Sequence, residues 1–157
     1  MAIDNINKAC KYINNVSIDM IFAYQGQSIK ELKEDINIAT SLPIKHLSYY
    51  SLLIEPNTIL YAKNVSNVSD EIQAKMYKCI VNTLMKKGFD RYEISNFAKN
   101  KKYQSYHNLT YWRNMHYDAI GLASSGYNNN LRYTNNDNIV KYINQDYTKI
   151  EETGGAN

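Results

Sequence analysis

The stretch that decides the fold is VSIDMIF, residues 16–22. It is a nearly continuous apolar run, which is typical of a strand buried on both faces of a parallel sheet. Ser28 then opens Ser-Ile-Lys-Glu, where Glu31 completes a capping box, and apolar residues at helical spacing follow it. The stretch therefore predicts a strand followed by a capped helix, which is the repeating unit of an α/β fold.

The same alternation continues on both sides of this stretch. Helical spacing over residues 3–13 precedes it, and a second apolar strand candidate covers residues 44–54. A long helix then begins at Ser69 and ends at Lys86-Lys87-Gly88. Two βα units do not close a (β/α)8 barrel, which needs about 250 residues. We therefore expect residues 1–90 to belong to the second half of a larger sheet or barrel.

Beyond residue 90 the pattern changes to short elements in polar loops. We expect strands at residues 90–94, 117–123 and 130–133, and a short helix at 139–143. Residues 91–145 are thus predicted to differ in organisation from residues 1–90, and residues 146–157 to form a frayed tail.

Composition excludes several classes of protein. The net charge is +3, and its one short basic cluster, Lys99, Lys101 and Lys102, is too small for a nucleic-acid surface. No run approaches the ~20 apolar residues of a membrane span, so we expect no stable membrane anchor. Cys10 and Cys79 have no CxxC spacing and are expected to be reduced thiols of a cytoplasmic protein. The spacing assigns no metal ligand and no catalytic nucleophile.

Two places in the sequence are candidates for chemistry. Asp19 is a charge inside an apolar strand, so it either faces a ligand or is hydrogen-bonded to a neighbouring strand or loop. Residues 92–98 and 107–113 form the densest polar and aromatic group in the chain. Its His107 suits heme iron or general-base work, and its aromatic faces suit a flat ring ligand. His46 and His116 are expected to be structural.

Four motifs resemble the radical-SAM family of oxygen-independent coproporphyrinogen III oxidases and HemW-type heme chaperones. SIDMI (17–21) is similar to the family's SIDLI strand, and YEISNFA (92–98) matches a family motif residue for residue. HNLTYW (107–112) fits the HNxxYW motif of the chaperone group, and Arg132-Tyr133 resembles a later family stretch. The similarity covers residues 3–145.

The resemblance implies an α/β fold in which residues 1–90 are the later βα units, from the later half of a partial (β/α)6 TIM-like barrel. Residues 91–145 would then be the start of an α+β C-terminal extension. It implies S-adenosylmethionine (SAM) as a cofactor, with Asp19 holding its ribose and Ile21 and Leu53 lining its adenine. It assigns heme handling to the HNxxYW motif: His107, Asn108, Tyr111 and Trp112. It also implies a [4Fe–4S] cluster, whose CxxxCxxC ligand motif is absent from this sequence.

The resemblance favours a fragment of a HemW-type heme chaperone that binds heme or porphyrin and transfers heme to accepting proteins. Without the cluster motif, we expect this chain alone to be inactive as a radical enzyme. Two alternatives stay open, an anaerobic coproporphyrinogen III oxidase and a non-catalytic truncated remnant. Ala123 stands where the family has a glycine, and the loop Ala23–Gln25 departs from the family's Gly-Leu-Pro, so both positions bear on cofactor binding.

Overall fold

The computed structural model describes residues 1–147 and 150–153. The chain divides into two compact units, Met1–Gln104 and Ser105–Asn157. The expected boundary between barrel and extension at residue 90 stays a prediction.

The first unit is a mixed sheet flanked by helices. Its elements are α1 (Ala2–Tyr12), β1 (Ser17–Phe22), α2 (Ile29–Ser41), β2 (His46–Ser51), α3 (Ile59–Ala62), α4 (Asp70–Lys86), β3 (Asp90–Arg91), β4 (Asn96–Ala98) and a 3-10 turn, Lys101–Tyr103. The strand order is β1-β2-β4-β3, with β1 and β2 parallel and β4 antiparallel to both of its neighbours. The predicted alternation of helices and strands is confirmed.

The predicted capping box begins α2. The Glu31 N–H donates to Ser28 Oγ at 3.2 Å, and the Ser28 N–H donates to Glu31 Oε2 at 2.8 Å. Such a cap stabilises a helix by about 1 kcal/mol. The buried stripe of α2, Leu32, Ile36 and Ala39, then packs into the core of this unit. Local hydrogen bonds and helical periodicity thus act together here.

The core lies between one face of the sheet and the helices α2 and α4. Its fully buried members come from α2, α4, β2, β4 and the connecting segments: Leu32, Ile36, Ile44, Leu47, Tyr49, Met76, Ile80, Leu84, Phe89 and Phe97. Burying one such aliphatic or aromatic side chain contributes roughly 1.5–3 kcal/mol. Helix packing on this face therefore holds the sheet together.

Strand β1 does not have two covered faces. Its burial alternates: Ser17, Asp19 and Ile21 are exposed, whereas Phe22 is buried. The expectation of a strand buried on both faces is wrong because only one face of β1, that of Ile18, Met20 and Phe22, packs on the core. The exposed face keeps one carboxylate, Asp19, accessible.

The second unit is a small antiparallel sheet with two short helices. Its elements are α5 (Tyr106–Trp112), β5 (Ser125–Asn128), β6 (Leu131–Thr134), α6 (Ile139–Ile143) and β7 (Ile150–Thr153). The strand order is β5-β6-β7. Asn129 and Asn130 both have positive φ, 50° and 61°, as a two-residue type I′ hairpin turn requires. The predicted strand near residues 130–133 and the helix at 139–143 are confirmed.

Three expected elements differ from the structure. The strand expected at 90–94 is confined to Asp90–Arg91. The strand expected at 117–123 is wrong, because Gly121 and Ala123 turn the backbone to φ 106° and 54° and only Tyr117 pairs, with Tyr127. Residues 150–153 of the expected frayed tail lie in β7, while residues 148, 149 and 154–157 lie outside the described residues.

Candidate functional site

The first candidate site is the face of the first unit's sheet that carries Asp19. One hydrogen bond joins Ser17 Oγ to His46 Nδ1 at 2.6 Å, and a second joins His46 Nε2 to Tyr92 Oη at 2.7 Å. Ser48 Oγ donates to Asn96 Oδ1 at 2.7 Å. We call this set the polar sheet face; its members are Ser17, Asp19, His46, Ser48, Tyr92 and Asn96. It joins β1, β2 and the YEISNFA motif.

Electrostatics on this face favour a neutral histidine. His46 is 5% exposed, and burial lowers its pKa below the ordinary value because the charged ring loses water. The negative charges of Asp19 and Glu93 raise that pKa and offset the effect only in part. His46 therefore acts at neutral pH as a hydrogen-bonding group whose two ring nitrogens have partners from two different elements.

The residues expected to bind SAM lie along the polar sheet face and just beyond it. Asp19 and Ile21 are two positions apart on β1, so their side chains share one face. Asp19 is the register partner of Ser48. Leu53 follows β2, and the carboxyl ends of β1 and β2 meet at one edge because these strands are parallel. Ile21 is 55% exposed and Leu53 is 59% exposed.

Sequence reasoning missed His46 as a member of this face. The expectation that it is structural agrees with its burial, but its ring also links two strands to a family motif. A signal was present, because His46 and Ser48 are polar at alternate positions of an otherwise apolar strand. Period-two reading of β2 would have placed both side chains on one face of that strand, and the register with β1 makes it the face of Asp19.

The chain's own residues do not fit a [4Fe–4S] cluster. Such a cluster is held by several converging cysteine thiolates. The sequence has two cysteines, and Cys10 and Cys79 are free, half-buried residues of α1 and α4. Within residues 1–147 and 150–153, no group of three or more His, Cys, Asp and Glu is arranged to hold a metal ion. Both side chains are half-buried, and their reduced state stays a prediction.

The second candidate site is the surface of α5 in the second unit. His107 and Tyr111 are four residues apart, which places them on one side of the helix. Their ring centroids are 4.8 Å apart in edge-to-face geometry, and Tyr111 meets Tyr117 in the same way at 4.6 Å. Tyr111 is 45% exposed and Trp112 is 55% exposed. Asn108 is half-buried in the first turn, where its N–H donates to Ser105 Oγ at 3.3 Å.

These rings continue into the hairpin of the second unit. The ring centroids of Tyr117 and Tyr127 are 6.5 Å apart, and those of Tyr127 and His116 are 5.6 Å apart. We call the five rings the aromatic ladder: His107, Tyr111, Tyr117, Tyr127 and His116. The ladder joins α5 to β5 within one unit. The polar and aromatic group that the sequence treated as one set is divided, because YEISNFA lies in the first unit and HNLTYW lies in the second.

Comparison with known proteins identifies the family of this chain. No protein-family model matches the chain. The heme chaperone HemW of Bacillus subtilis is 38% identical over 133 residues, which cover 82% of this chain and 35% of that protein. The chain belongs to the HemW/HemN-like family. The radical S-adenosyl methionine domain-containing protein 1 (mitochondrial) of Danio rerio is 35% identical over 134 residues, covering 80% of this chain and 29% of that protein.

A solved structure supports the same fold. Coproporphyrinogen III oxidase (HemN) of Escherichia coli, a radical-SAM enzyme, matches with a TM-score of 0.72 at 12% identity. The match covers 97% of this chain and 40% of that chain. The predicted α/β fold, a part of the radical-SAM barrel, is confirmed. The chain thus spans well under half the length of the HemW/HemN-like proteins it matches.

The helices of the structure bear on the question of a membrane-spanning segment. In the part of the chain that is described, helices are either too short or too polar to cross a bilayer.

Proposed function

We propose that this chain provides a heme-binding surface of a HemW-type heme chaperone. The observation that carries the proposal is α5, which presents His107 and Tyr111 on one side with their rings 4.8 Å apart. Heme is the cargo here, so it must be both held and released. A surface helix with exposed rings suits that task better than a closed pocket, because the cargo remains accessible to an accepting protein.

Each residue of the HNxxYW motif has a role in this proposal. The imidazole of His107 is a ligand for heme iron, as histidine commonly is. The exposed rings of Tyr111 and Trp112 provide apolar area for the porphyrin plane. Asn108 lies in the first turn of α5, and its side-chain amide can hydrogen-bond to a polar substituent of the porphyrin. Heme-accepting proteins are the proposed partners, and the cytoplasm is the proposed location.

Hemin titration of the purified chain, followed by the Soret band, tests the proposal. His107→Ala should weaken hemin binding roughly tenfold or more, equivalent to about 1.4 kcal/mol, because the iron ligand is lost. Lys141→Ala on α6 is the control, since that exposed residue of the same unit lies outside both the HNxxYW motif and the aromatic ladder, and it should bind as the unaltered chain does. Equal binding by the His107→Ala variant, or no binding by the unaltered chain, would contradict the proposal.

We further propose that the polar sheet face binds part of SAM when a cluster-bearing segment of the family completes the site. A carboxylate such as Asp19 suits two neighbouring ribose hydroxyls, as acidic residues do in dinucleotide sites. Ile21 and Leu53 offer exposed apolar area for adenine. SAM supplies the radical chemistry in such proteins, whereas these residues only hold and orient it.

Two measurements test this part of the proposal. In a full-length HemW/HemN-like relative carrying this segment, Asp19→Asn should weaken SAM binding in equilibrium dialysis. Asp4→Asn on α1 should leave that binding unchanged, and equal effects of both substitutions would contradict the role of Asp19. The chain alone should form no [4Fe–4S] absorption after anaerobic reconstitution with iron and sulfide. A cluster spectrum together with SAM cleavage would overturn that expectation.

A further inference from the structure

Arg132 on β6 is an exposed side chain that is held in place by three neighbours. Its Nη2–H donates to Asn114 Oδ1 at 2.8 Å, and its Nη1–H donates to Tyr117 Oη at 3.5 Å. The centre of its guanidinium lies 4.9 Å from the centroid of the Tyr127 ring. Contacts from a loop and from two members of the aromatic ladder therefore orient the guanidinium plane.

These contacts orient the charge of Arg132 without neutralising it. An amide oxygen, a phenol and a ring face are all uncharged. Among residues 1–147, whose side chains the structure describes, no carboxylate forms an ion pair with Arg132. The register of β6 and β7 places Glu152 opposite Arg132, so this position is included in the test below. A guanidinium held in this way retains N–H donors suited to a planar anion.

Arg132 is connected to the proposed heme surface through the aromatic ladder. Its partner Tyr117 contacts Tyr111 at 4.6 Å, and Tyr111 contacts His107 at 4.8 Å. Two tyrosine rings thus separate the imidazole from the guanidinium. Along this surface the proposed iron ligand His107 comes first, the two tyrosine rings follow, and the cation Arg132 comes last. Heme has the matching order, with iron at the centre of a flat ring and two carboxylate side chains at one edge.

We propose that Arg132 binds a propionate carboxylate of the porphyrin that His107 holds, so that the site selects porphyrins with free carboxylates. This inference rests on the proposed heme binding of α5. A guanidinium and a carboxylate form two parallel charge-assisted hydrogen bonds, and the Tyr127 face and Asn114 pre-orient the guanidinium for them. Selectivity arises because an esterified carboxylate carries no charge and cannot form this charge-assisted pair, so the donors of Arg132 stay hydrated.

The test compares hemin with hemin dimethyl ester, both titrated into the full chain. The unaltered chain should bind hemin roughly ten- to a hundredfold more tightly than the ester. Arg132→Met should reduce hemin affinity to that of the ester and leave ester affinity unchanged. Arg132→Lys should retain part of the preference for hemin over the ester, because lysine keeps the positive charge but cannot form two parallel hydrogen bonds with one carboxylate. Arg113→Met, which removes an exposed arginine directly after α5, should change neither affinity.

Each alternative has its own outcome. If the unaltered chain binds both ligands equally well, or if Arg132→Met weakens both equally, Arg132 has no carboxylate role. If Glu152→Gln lowers hemin affinity as Arg132→Met does, Arg132 acts as a structural partner of β7, and the inference is overturned. If the unaltered chain binds neither ligand, the proposed function fails and this inference fails with it. Circular dichroism melts of each variant establish that the second unit remains folded.

Discussion

Replacing Tyr49 by phenylalanine is expected to stabilise the first unit. Tyr49 lies on β2 and is 1% exposed, and its hydroxyl has no hydrogen-bond partner among the described residues. Burial raises the pKa of this hydroxyl strongly, and the nearby Asp35 raises it further. The group is therefore a neutral donor and acceptor that has lost water and gained no partner from the described part of the chain.

The size of the effect follows from this geometry. A buried hydroxyl without a partner costs about 1–3 kcal/mol relative to its hydrated state. Phenylalanine keeps the ring, including its edge-to-face contact with Phe22 at 5.9 Å between centroids. The substitution thus removes the penalty and leaves the packing. We expect the free energy of unfolding to rise by about 1–2 kcal/mol.

Urea unfolding followed by far-UV circular dichroism measures this change. Tyr77→Phe is the matched control, because the Tyr77 hydroxyl donates to the Ile94 carbonyl at 2.7 Å and accepts from Arg91 at 2.9 Å. That substitution should lower the free energy of unfolding by about 0.5–1.5 kcal/mol. The reasoning is refuted if Tyr49→Phe destabilises the unit as much as Tyr77→Phe does, since the Tyr49 hydroxyl would then have a partner.

Three other perturbations have expected outcomes. Ala123 is exposed and has a left-handed backbone conformation with φ 54°. Ala123→Gly should therefore raise the free energy of unfolding, measured by urea unfolding, by about 0.5–1 kcal/mol. A loss of stability would contradict the argument that Ala123 is strained. Burial lowers the pKa of His46, so the unfolded chain binds more protons near its ordinary pKa, and stability should fall as the pH drops below about 6.5. His46→Gln should flatten that slope in unfolding curves measured between pH 5 and 8, and an unchanged slope would count against it. Strand β1 is the end strand of its sheet, and its Ile21 is 55% exposed, so the chain should self-associate in sedimentation velocity experiments. Ile21→Lys should shift the chain toward the monomer, and an unaltered chain that sediments as a single monomeric species would disprove this.

How much of the fold could be predicted depended on the range of the interactions involved. The capped start of α2 was predictable because Ser28 and Glu31 are three residues apart and bond each other's backbone. The strand expected at 117–123 was not, because its apolar residues lie in a segment that two positive-φ residues, Gly121 and Ala123, turn away from pairing. A glycine signals such a turn in a sequence, whereas an alanine does not.

The candidate sites show the same limit. The HNxxYW motif is local, so the sequence alone places His107 and Tyr111 on one side of a helix. It does not place Tyr92 against His46, which are 46 residues apart, or Arg132 against Asn114, which are 18 residues apart. No spacing rule links such pairs, because their distance depends on strand register and on the path of the intervening loops.

The amino-acid sequence by itself determined the alternation of helices and strands, the capping box of α2, the lack of cluster cysteines and the resemblance to radical-SAM proteins. These depend on neighbouring residues and composition, which the linear order contains in full. The tertiary structure alone decided that one face of β1 is exposed, that His46 links two strands to Tyr92, and that Arg132 lies beside the aromatic ladder. The physical reason is that burial and long-range hydrogen bonds need two segments that are distant in the sequence to be in contact. These contacts form only when the sheet and its helices have packed.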